Sequence, residues 1–244
     1  MRTLFLSSSG LNEKTTALFW QYIRKEPINT KVIMVPSAAV GNDNAREGII
    51  VCVERLMSMG IPLNNILIYN LTYLLSNGYK RTYSDYVRNI PVQFRLMSAP
   101  ELNQYDIIVF CGGNAQTLLK EMNRTGFSDP LKQAIEKGLV YLGISAGSMI
   151  AAGNFVDGLS YLSNPLIPHA ENEYPCGEID NNDLIELADG QTVLIRGEKR
   201  KLFAKSQLKE EFWMDIQKIE GTQITDAIDL IWTTSAEDVN CRQG

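Results

Sequence analysis

One histidine, His169, serves the whole 244-residue chain. That scarcity excludes a multi-histidine metal centre and leaves any imidazole-dependent chemistry a single candidate base; a lone histidine with scattered acids does not make a zinc site. Cysteine is nearly as sparse. Cys52, Cys111, Cys176 and Cys241 share no CxxC spacing, which argues against a zinc or dithiol motif. Cys52 and Cys111 sit in apolar contexts and read as reduced core residues. Cys111 has no basic neighbour in the sequence to activate it.

Long apolar runs are also missing. No stretch approaches about 18 apolar residues, so no membrane span is expected. The N-terminal "MRTLFLSSSG" lacks an adequate apolar core and cleavage pattern for a signal peptide, and a cytoplasmic protein is expected. No Lys/Arg cluster resembles a nucleic-acid footprint, and a net charge of −5 does not suit a nucleic-acid partner. Repeats, low-complexity tracts and interdomain linkers are absent. The expectation is one domain over residues 1–204, with residues 205–244 a helical extension and tail packed on it.

What is present is a series of short apolar runs: "TLFLSS" (3–8), "KVIMVPSA" (31–38), "NILIYNL" (65–71), "YDIIVFCGG" (105–113) and "LVYLGIS" (139–145). They are apolar at successive positions rather than alternating ones, as strands covered on both faces must be. Helix-length amphipathic segments lie between them, at 11–25, 45–60, 114–126 and 130–138. Strand and helix in alternation imply right-handed crossovers, a largely parallel sheet and helices on both sides. Functional groups in such sheets collect beyond the carboxyl ends of the strands. Three runs end there in small or polar residues: Ser7–Ser9, Gly112–Asn114 and Ser145–Gly147.

After residue 150 the pattern changes to short strands, read at "GLSYLSN" (158–164), "TVLIRG" (192–197) and "KRKLFAK" (199–205), the last two joined by a hairpin turn as an antiparallel addition. The tyrosine-rich region 69–86 reads as packed surface helices, with a lid or the contact of a homodimer as the other reading. A helix is expected at "SQLKEEFWMDIQKIEG" (206–221), within residues 205–236.

"YLGISAGSMI" (141–150) places Ser145 between two glycines at the end of a buried strand. A sharp strand-to-helix turn forces such a serine into an uncommon backbone conformation, and side chains at 143 or 147 would collide with neighbouring backbone. The following helix aims its amino end at the serine, so the Ala146 N–H is a natural oxyanion donor. A serine hydroxyl needs a base, and the base an orienting group. His169, in "NPLIPHAENE", is the candidate base: the apolar "PLIP" should pack and hold the imidazole at a site edge.

Eight carboxylates are local candidates for the third member: Asp157, Glu171, Glu173, Glu178, Asp180, Asp183, Glu186 and Asp189. Spacing does not choose among them. Asp189 is distinguished by a tight Asp-Gly turn leading into a strand, a rigid mount for an orienting group. The order serine, acid, histidine of α/β-hydrolases does not fit, because His169 follows Ser145 closely with Asp157 the one acid between.

Together, "FCGGNAQTLLKEM", "YLGISAGSMI", "PLIPHA" and "LADGQTVLIRG" resemble the peptidase E (aspartyl dipeptidase) family of serine peptidases. The resemblance runs from "LFLSSSG" to about residue 204. It implies a class I glutamine amidotransferase-like three-layer α/β/α sandwich, and a serine peptidase that hydrolyses short peptides, dipeptidase-like, through an acyl-enzyme. By position it implies Ser145 as nucleophile, His169 as base and Asp189 as acid, with Asp157 the second choice. It also implies Gly113 and Ala146 as oxyanion donors, with Gly112 and Asn114 in the substrate-binding loop. No cofactor is implied.

The chain departs from the family after His169. The loop "AENEYPCGEIDNND" is acidic and lacks the arginine that would bind an aspartyl substrate, and Ala170 stands where an aromatic residue is common. An acidic mouth favours a cationic substrate over an anionic one. The alternative function is a catalytically inactive small-molecule or peptide-binding member of the same fold. An amidotransferase-like enzyme would require a cysteine where Ser145 stands.

Overall fold

A computed structural model describes residues 1–40, 45–74, 92–179 and 184–203. Readings that fall on 205–244 and on most of the tyrosine-rich region lie outside the described residues.

Among the described residues, five parallel strands form one side of an eight-stranded sheet: β1 (Thr3–Ser7), β2 (Val32–Val35), β3 (Ile66–Ile68), β4 (Ile107–Phe110) and β5 (Val140–Ile144). They lie in the order β3-β2-β4-β5-β1. The edge beyond β1 is antiparallel, as the hairpin reading required. β9 (Thr192–Arg196) pairs with β1, β10 (Lys199–Phe203) with β9, and β7 (Gly177–Glu178) with β10. A separate two-stranded parallel sheet joins β6 (Leu166–Ala170) to β8 (Ile185–Ala188).

Alternate residues of each central strand enter two different cores. Leu4, Leu6, Ile33, Val35, Ile108, Phe110 and Tyr141 face one side; Phe5, Val32, Met34, Ile107, Val109, Val140 and Leu142 face the other. The first core is closed by α3 (Ala99–Leu102), α4 (Ala115–Thr125), α5 (Ser128–Glu136) and α6 (Ala146–Ala151). The second is closed by α1 (Glu13–Ile23) and α2 (Ala45–Ser58). The sheet is thus buried on both faces, which is why its strands read as unbroken apolar runs. The expected three-layer α/β/α arrangement is the one observed.

Local signals set the helix limits. Asn12 caps α1, accepting from the Thr15 N–H at 2.8 Å while the Thr15 hydroxyl accepts from the Asn12 N–H at 2.9 Å. Gly126 ends α4 in the left-handed conformation, φ 69°. Pro130 falls in the first turn of α5, where a missing N–H costs nothing. Among the described residues no helix is long and apolar enough to cross a membrane.

One expected strand is not there. Residues 158–164 form turns and bends. Their N–H groups serve the open carbonyl end of α6: Leu159 donates to Ile150 at 2.8 Å, and Tyr161 and Leu162 to Ala151 at 2.8 and 3.2 Å. The last carbonyls of a helix need outside donors, and this segment supplies them instead of pairing in a ladder. Its apolar residues, Leu159 and Leu162, are buried in the first core.

The second core is a place to measure cohesion away from the strand ends. Phe19 is fully buried and meets Phe5 and Trp20 edge-on, with ring centroids 5.1 and 5.5 Å apart. Phe19→Ala is expected to lower the unfolding free energy by roughly 3–5 kcal/mol. Urea titration would register this as a lower midpoint at unchanged slope, and an unshifted midpoint would contradict the packing described.

Candidate active site

The strand order brings β4, β5 and β1 side by side, so the chain leaves all three at one edge of the sheet. Ser8 follows β1, Gly112 and Gly113 follow β4, and Ser145 follows β5. Residues more than a hundred positions apart become neighbours through pairing alone.

Ser145 sits at φ 49°, ψ −107°, a combination outside the ordinary allowed regions for a residue with a side chain. Such a conformation costs on the order of 1–3 kcal/mol and persists only where the surroundings over-determine it. Here they do. The Ser145 N–H donates to the Ser7 carbonyl at 3.0 Å, and its carbonyl accepts from Met149 in α6 at 3.1 Å. Buried Ser148 lies 2.7 Å from the Ser7 carbonyl and 2.9 Å from that of Gly143, tying α6 back to both strands. The Tyr141 hydroxyl donates to the Gly147 carbonyl at 2.7 Å.

The flanking glycines are a matter of space. A Cβ on Gly143 would fall 2.7 Å from the Ser148 nitrogen; one on Gly147 would fall 2.6 Å from both the Cβ and the carbonyl oxygen of Phe110. Gly112 packs on the serine itself, where an added Cβ would stand 3.4 Å from the Ser145 Cβ. Gly113, at φ 134°, leaves no room for a side chain beside the Ala38 carbonyl. Asn114 caps α4, its side chain accepting from the Thr117 N–H at 2.9 Å.

His169 comes from the small sheet. The apolar segment before it, read only as packed, is strand β6. Asn154 holds the start of that strand in the manner of a neighbouring backbone, accepting from the Leu166 N–H at 3.0 Å and donating to its carbonyl at 2.9 Å. The register of β6 on β8 then slips: Pro168 faces Leu187, but Ala170 faces Ala188. His169 is the extra residue of a bulge, at φ 61°. Its N–H leaves the ladder and donates to the Ser8 hydroxyl at 2.8 Å.

Asp189 occupies the turn between β8 and β9. The Gln191 N–H closes that turn on the Ala188 carbonyl at 3.0 Å, and Gly190 at φ 90° provides the left-handed third position. Buried Gln191 braces it further. Its side-chain oxygen accepts from Tyr174 and Ala188 at 3.0 and 3.1 Å, and its amide donates to the Tyr174 carbonyl at 2.8 Å.

These mounts bring three side chains into line. The His169 Nε2 stands 3.0 Å from the Ser145 Oγ, and Nδ1 stands 2.7 Å from the Asp189 Oδ1. Asp189, not Asp157, meets the imidazole. Asp157 lies exposed in the turn after α6. Glu171 and Glu173 are exposed in the loop beyond the histidine, and Glu178 and Glu186 project outward from β7 and β8. Asp180 and Asp183 lie outside the described residues.

Ser8 was recognised in the sequence only as part of a polar strand end. Its hydroxyl accepts from the His169 N–H and donates to the Asp189 Oδ1 at 2.9 Å, fixing histidine and aspartate together. Partial burial pushes the Asp189 carboxyl up, but bonds from Ser8, His169 and Ser9, with the histidine's charge, outweigh it and leave its pKa below the ordinary value. Among the described residues no group of three or more His, Cys, Asp and Glu side chains could hold a metal ion.

Residues 93–169, which span the Gly112–Gly113 loop, Ser145 and His169, match the family model of peptidase family S51. The chain resembles that family. The peptidase E likeness read from the sequence is thereby borne out. An uncharacterized peptidase of Pasteurella multocida is 39% identical over 64 residues, 26% of this chain and 30% of that protein. The pyridoxal 5'-phosphate synthase subunit PdxT of Pyrococcus furiosus is 44% identical over 52 residues, 21% of this chain and 26% of that protein. The match thus spans less than a third of either curated relative.

Two solved structures share the fold over most of the chain. A candidate peptidase E from Listeria monocytogenes EGD-e superposes with a TM-score of 0.55 at 20% identity, covering 84% of this chain and 100% of that one. A peptidase from an acI-B1 Actinobacterium gives 0.54 at 15% identity, covering 84% and 88%. Identities this low speak to the fold.

A carboxylate whose pKa is lowered on folding stabilises the fold above its unfolded-state pKa, and the contribution is lost as pH falls through the lowered value. Removing Ser8 removes one of the bonds that lower it. In Ser8→Ala the Asp189 carboxyl is expected to titrate closer to its ordinary value, as read from its carboxyl carbon signal in an NMR pH series. An unchanged titration would show that Ser8 does not hold the acid.

Proposed function

We propose that the protein is a serine peptidase that cleaves short peptides through an acyl-enzyme on Ser145. The observation that carries this reading is the unbroken run of contacts from the Ser145 hydroxyl to His169 and on to Asp189, at 3.0 and 2.7 Å. His169 Nε2 accepts the serine proton as the hydroxyl attacks the peptide carbonyl. Asp189 keeps the proton of Nδ1 in place and stabilises the imidazolium that forms. The imidazolium then protonates the departing amine, and a water activated by the same nitrogen releases the acid and restores the serine.

The negative oxygen of the tetrahedral intermediate needs donors that are already aimed. Ser145 spends its own N–H on Ser7. We assign the task to the N–H groups of Ala146 and Gly113. Ala146 opens α6, where a first-turn N–H has no partner within the helix. Gly113 lies on the loop packed against Ser145 through Gly112.

The S51 match and the peptidase neighbours support hydrolysis of peptides over an inert binding role, as does a strained serine held within reach of a base. A hydroxyl at the elbow, rather than a thiol, argues against an amidotransferase. Exposed Glu171 and Glu173, in the loop beyond His169, disfavour an acidic side chain at the cleavage site. We therefore propose neutral or basic short peptides as substrates, Gly112 and Asn114 as part of their binding loop, and the cytoplasm as the place of action.

Ser145→Ala is expected to abolish hydrolysis of a dipeptide library, and labelling by a fluorophosphonate, without shifting the melting temperature downward. Full activity in that variant would end the proposal. Asp189→Asn should retain the fold and lose on the order of 10⁴ in kcat, because the wrong imidazole tautomer is then favoured. A loss of only a fewfold would remove Asp189 from the mechanism.

A further inference from the structure

We propose that Cys52 and Cys111 form an oxidisable dithiol, a modification site that adjusts the Gly112–Gly113 loop beside Ser145. The second half of this statement rests on the reading of Ser145 as nucleophile; the first does not.

The two cysteines are 59 positions apart in sequence, yet their sulfurs lie 2.9 Å from one another. Cys52 projects from α2 and Cys111 from the end of β4, both buried in the second core. Two thiols at this contact need little backbone movement to bond, provided an oxidant can reach one of them.

The structure provides such a route. A cavity of about 450 Å³ opens between α1, α2 and the strand ends, and Cys52 lines it together with Ser9, Asn12, Glu13 and Arg55. Arg55, three positions beyond Cys52 in α2, is the basic neighbour that the sequence around Cys111 lacks. The two sulfurs divide the work. The hydrogen bond from Cys111 and the charge of Arg55 favour the Cys52 thiolate against the opposing effect of burial. The bond to Cys52, burial and the neighbouring charge all push the Cys111 thiol up. Cys52 is therefore the attacking sulfur, and Cys111 remains protonated until it resolves the intermediate.

With a small disulfide as oxidant, the Cys52 thiolate attacks one of its sulfurs and expels the other as a thiolate. Cys111 then attacks the mixed disulfide at Cys52 and expels the second thiol, with its own proton leaving. Two protein thiols are oxidised, one small disulfide is reduced to two thiols, and the protons balance.

The consequence for the site follows from position. Cys111 directly precedes Gly112, which packs on Ser145, and Gly113, which is wedged against Ala38. The Asn114 N–H continues this contact, donating to the Ala38 carbonyl at 2.7 Å. Bonding Cys111 to α2 draws the root of this loop toward the second core and away from the serine. A loop that supplies an oxyanion donor tolerates little displacement; shifts near 1 Å cost on the order of 10²-fold.

The test uses the full-length protein, oxidised glutathione as the probe, and alkylation followed by peptide mapping without reductant. A cross-linked peptide pair joining Cys52 to Cys111, reversed by dithiothreitol, is expected. Cys176→Ser should still form it, and Cys52→Ser should not. Peptide hydrolysis should fall about tenfold or more on oxidation, recover on reduction, and be indifferent to the oxidant in Cys52→Ser.

Alkylation of both thiols after oxidation, or cross-links only to Cys176 or Cys241, would overturn the dithiol. A Cys52–Cys111 cross-link with unchanged hydrolysis would overturn the coupling to the loop. A reduced protein that neither hydrolyses peptides nor takes up a fluorophosphonate would defeat the peptidase reading, while the cross-link map would still decide the dithiol.

Discussion

The site depends on a packing constraint at the end of β5: there is no space for a side chain on either flank of Ser145. Gly143 lies against α6 and Gly147 against Phe110, so strand and helix approach more closely than any other residue would allow. That approach lets α6 begin directly after the serine, forces its strained backbone, and lifts the hydroxyl clear of the sheet. The hydrogen bonds of Ser148 and Tyr141 hold the arrangement closed from beneath. The rest of the site is built around a hydroxyl whose place is already fixed.

The other two members are mounted differently. His169 projects from a bulge and Asp189 from a tight turn, both on the small β6–β8 sheet or its edge. Each depends on polar side chains to hold the backbone where it is needed: Asn154 at the root of β6, Gln191 behind the aspartate turn, Ser8 between the two. Ser145 is thus placed by steric exclusion and its partners by hydrogen bonding. The contacts are also open to solvent, since the side chains of His169 and Asp189 keep 53% and 57% of their accessible surface.

Much of this was legible in the sequence, for identifiable reasons. A strand buried on both faces must be apolar throughout, so β1, β2, β4 and β5 announced themselves. Glycines at 143 and 147 marked the elbow because the serine between them stands at the end of a buried strand. Asp189 stood out through its turn partner Gly190. What could not be read was whatever depends on distant partners. Residues 158–164 carry a strand-like composition, but their donors answer the carbonyls of α6, which no local pattern records. β6 was obscured by Pro168 and the bulge that follows it. Spacing could not discard Asp157, and the roles of Ser8, Asn154 and Gln191 exist only once chain segments far apart have met.

Ser8 also fixes a direction. Its one proton goes to Asp189, because the carboxylate can only accept and the His169 amide can only donate. The hydroxyl therefore behaves as a one-way connector between the large sheet and the small one, locking His169 and Asp189 as a single unit.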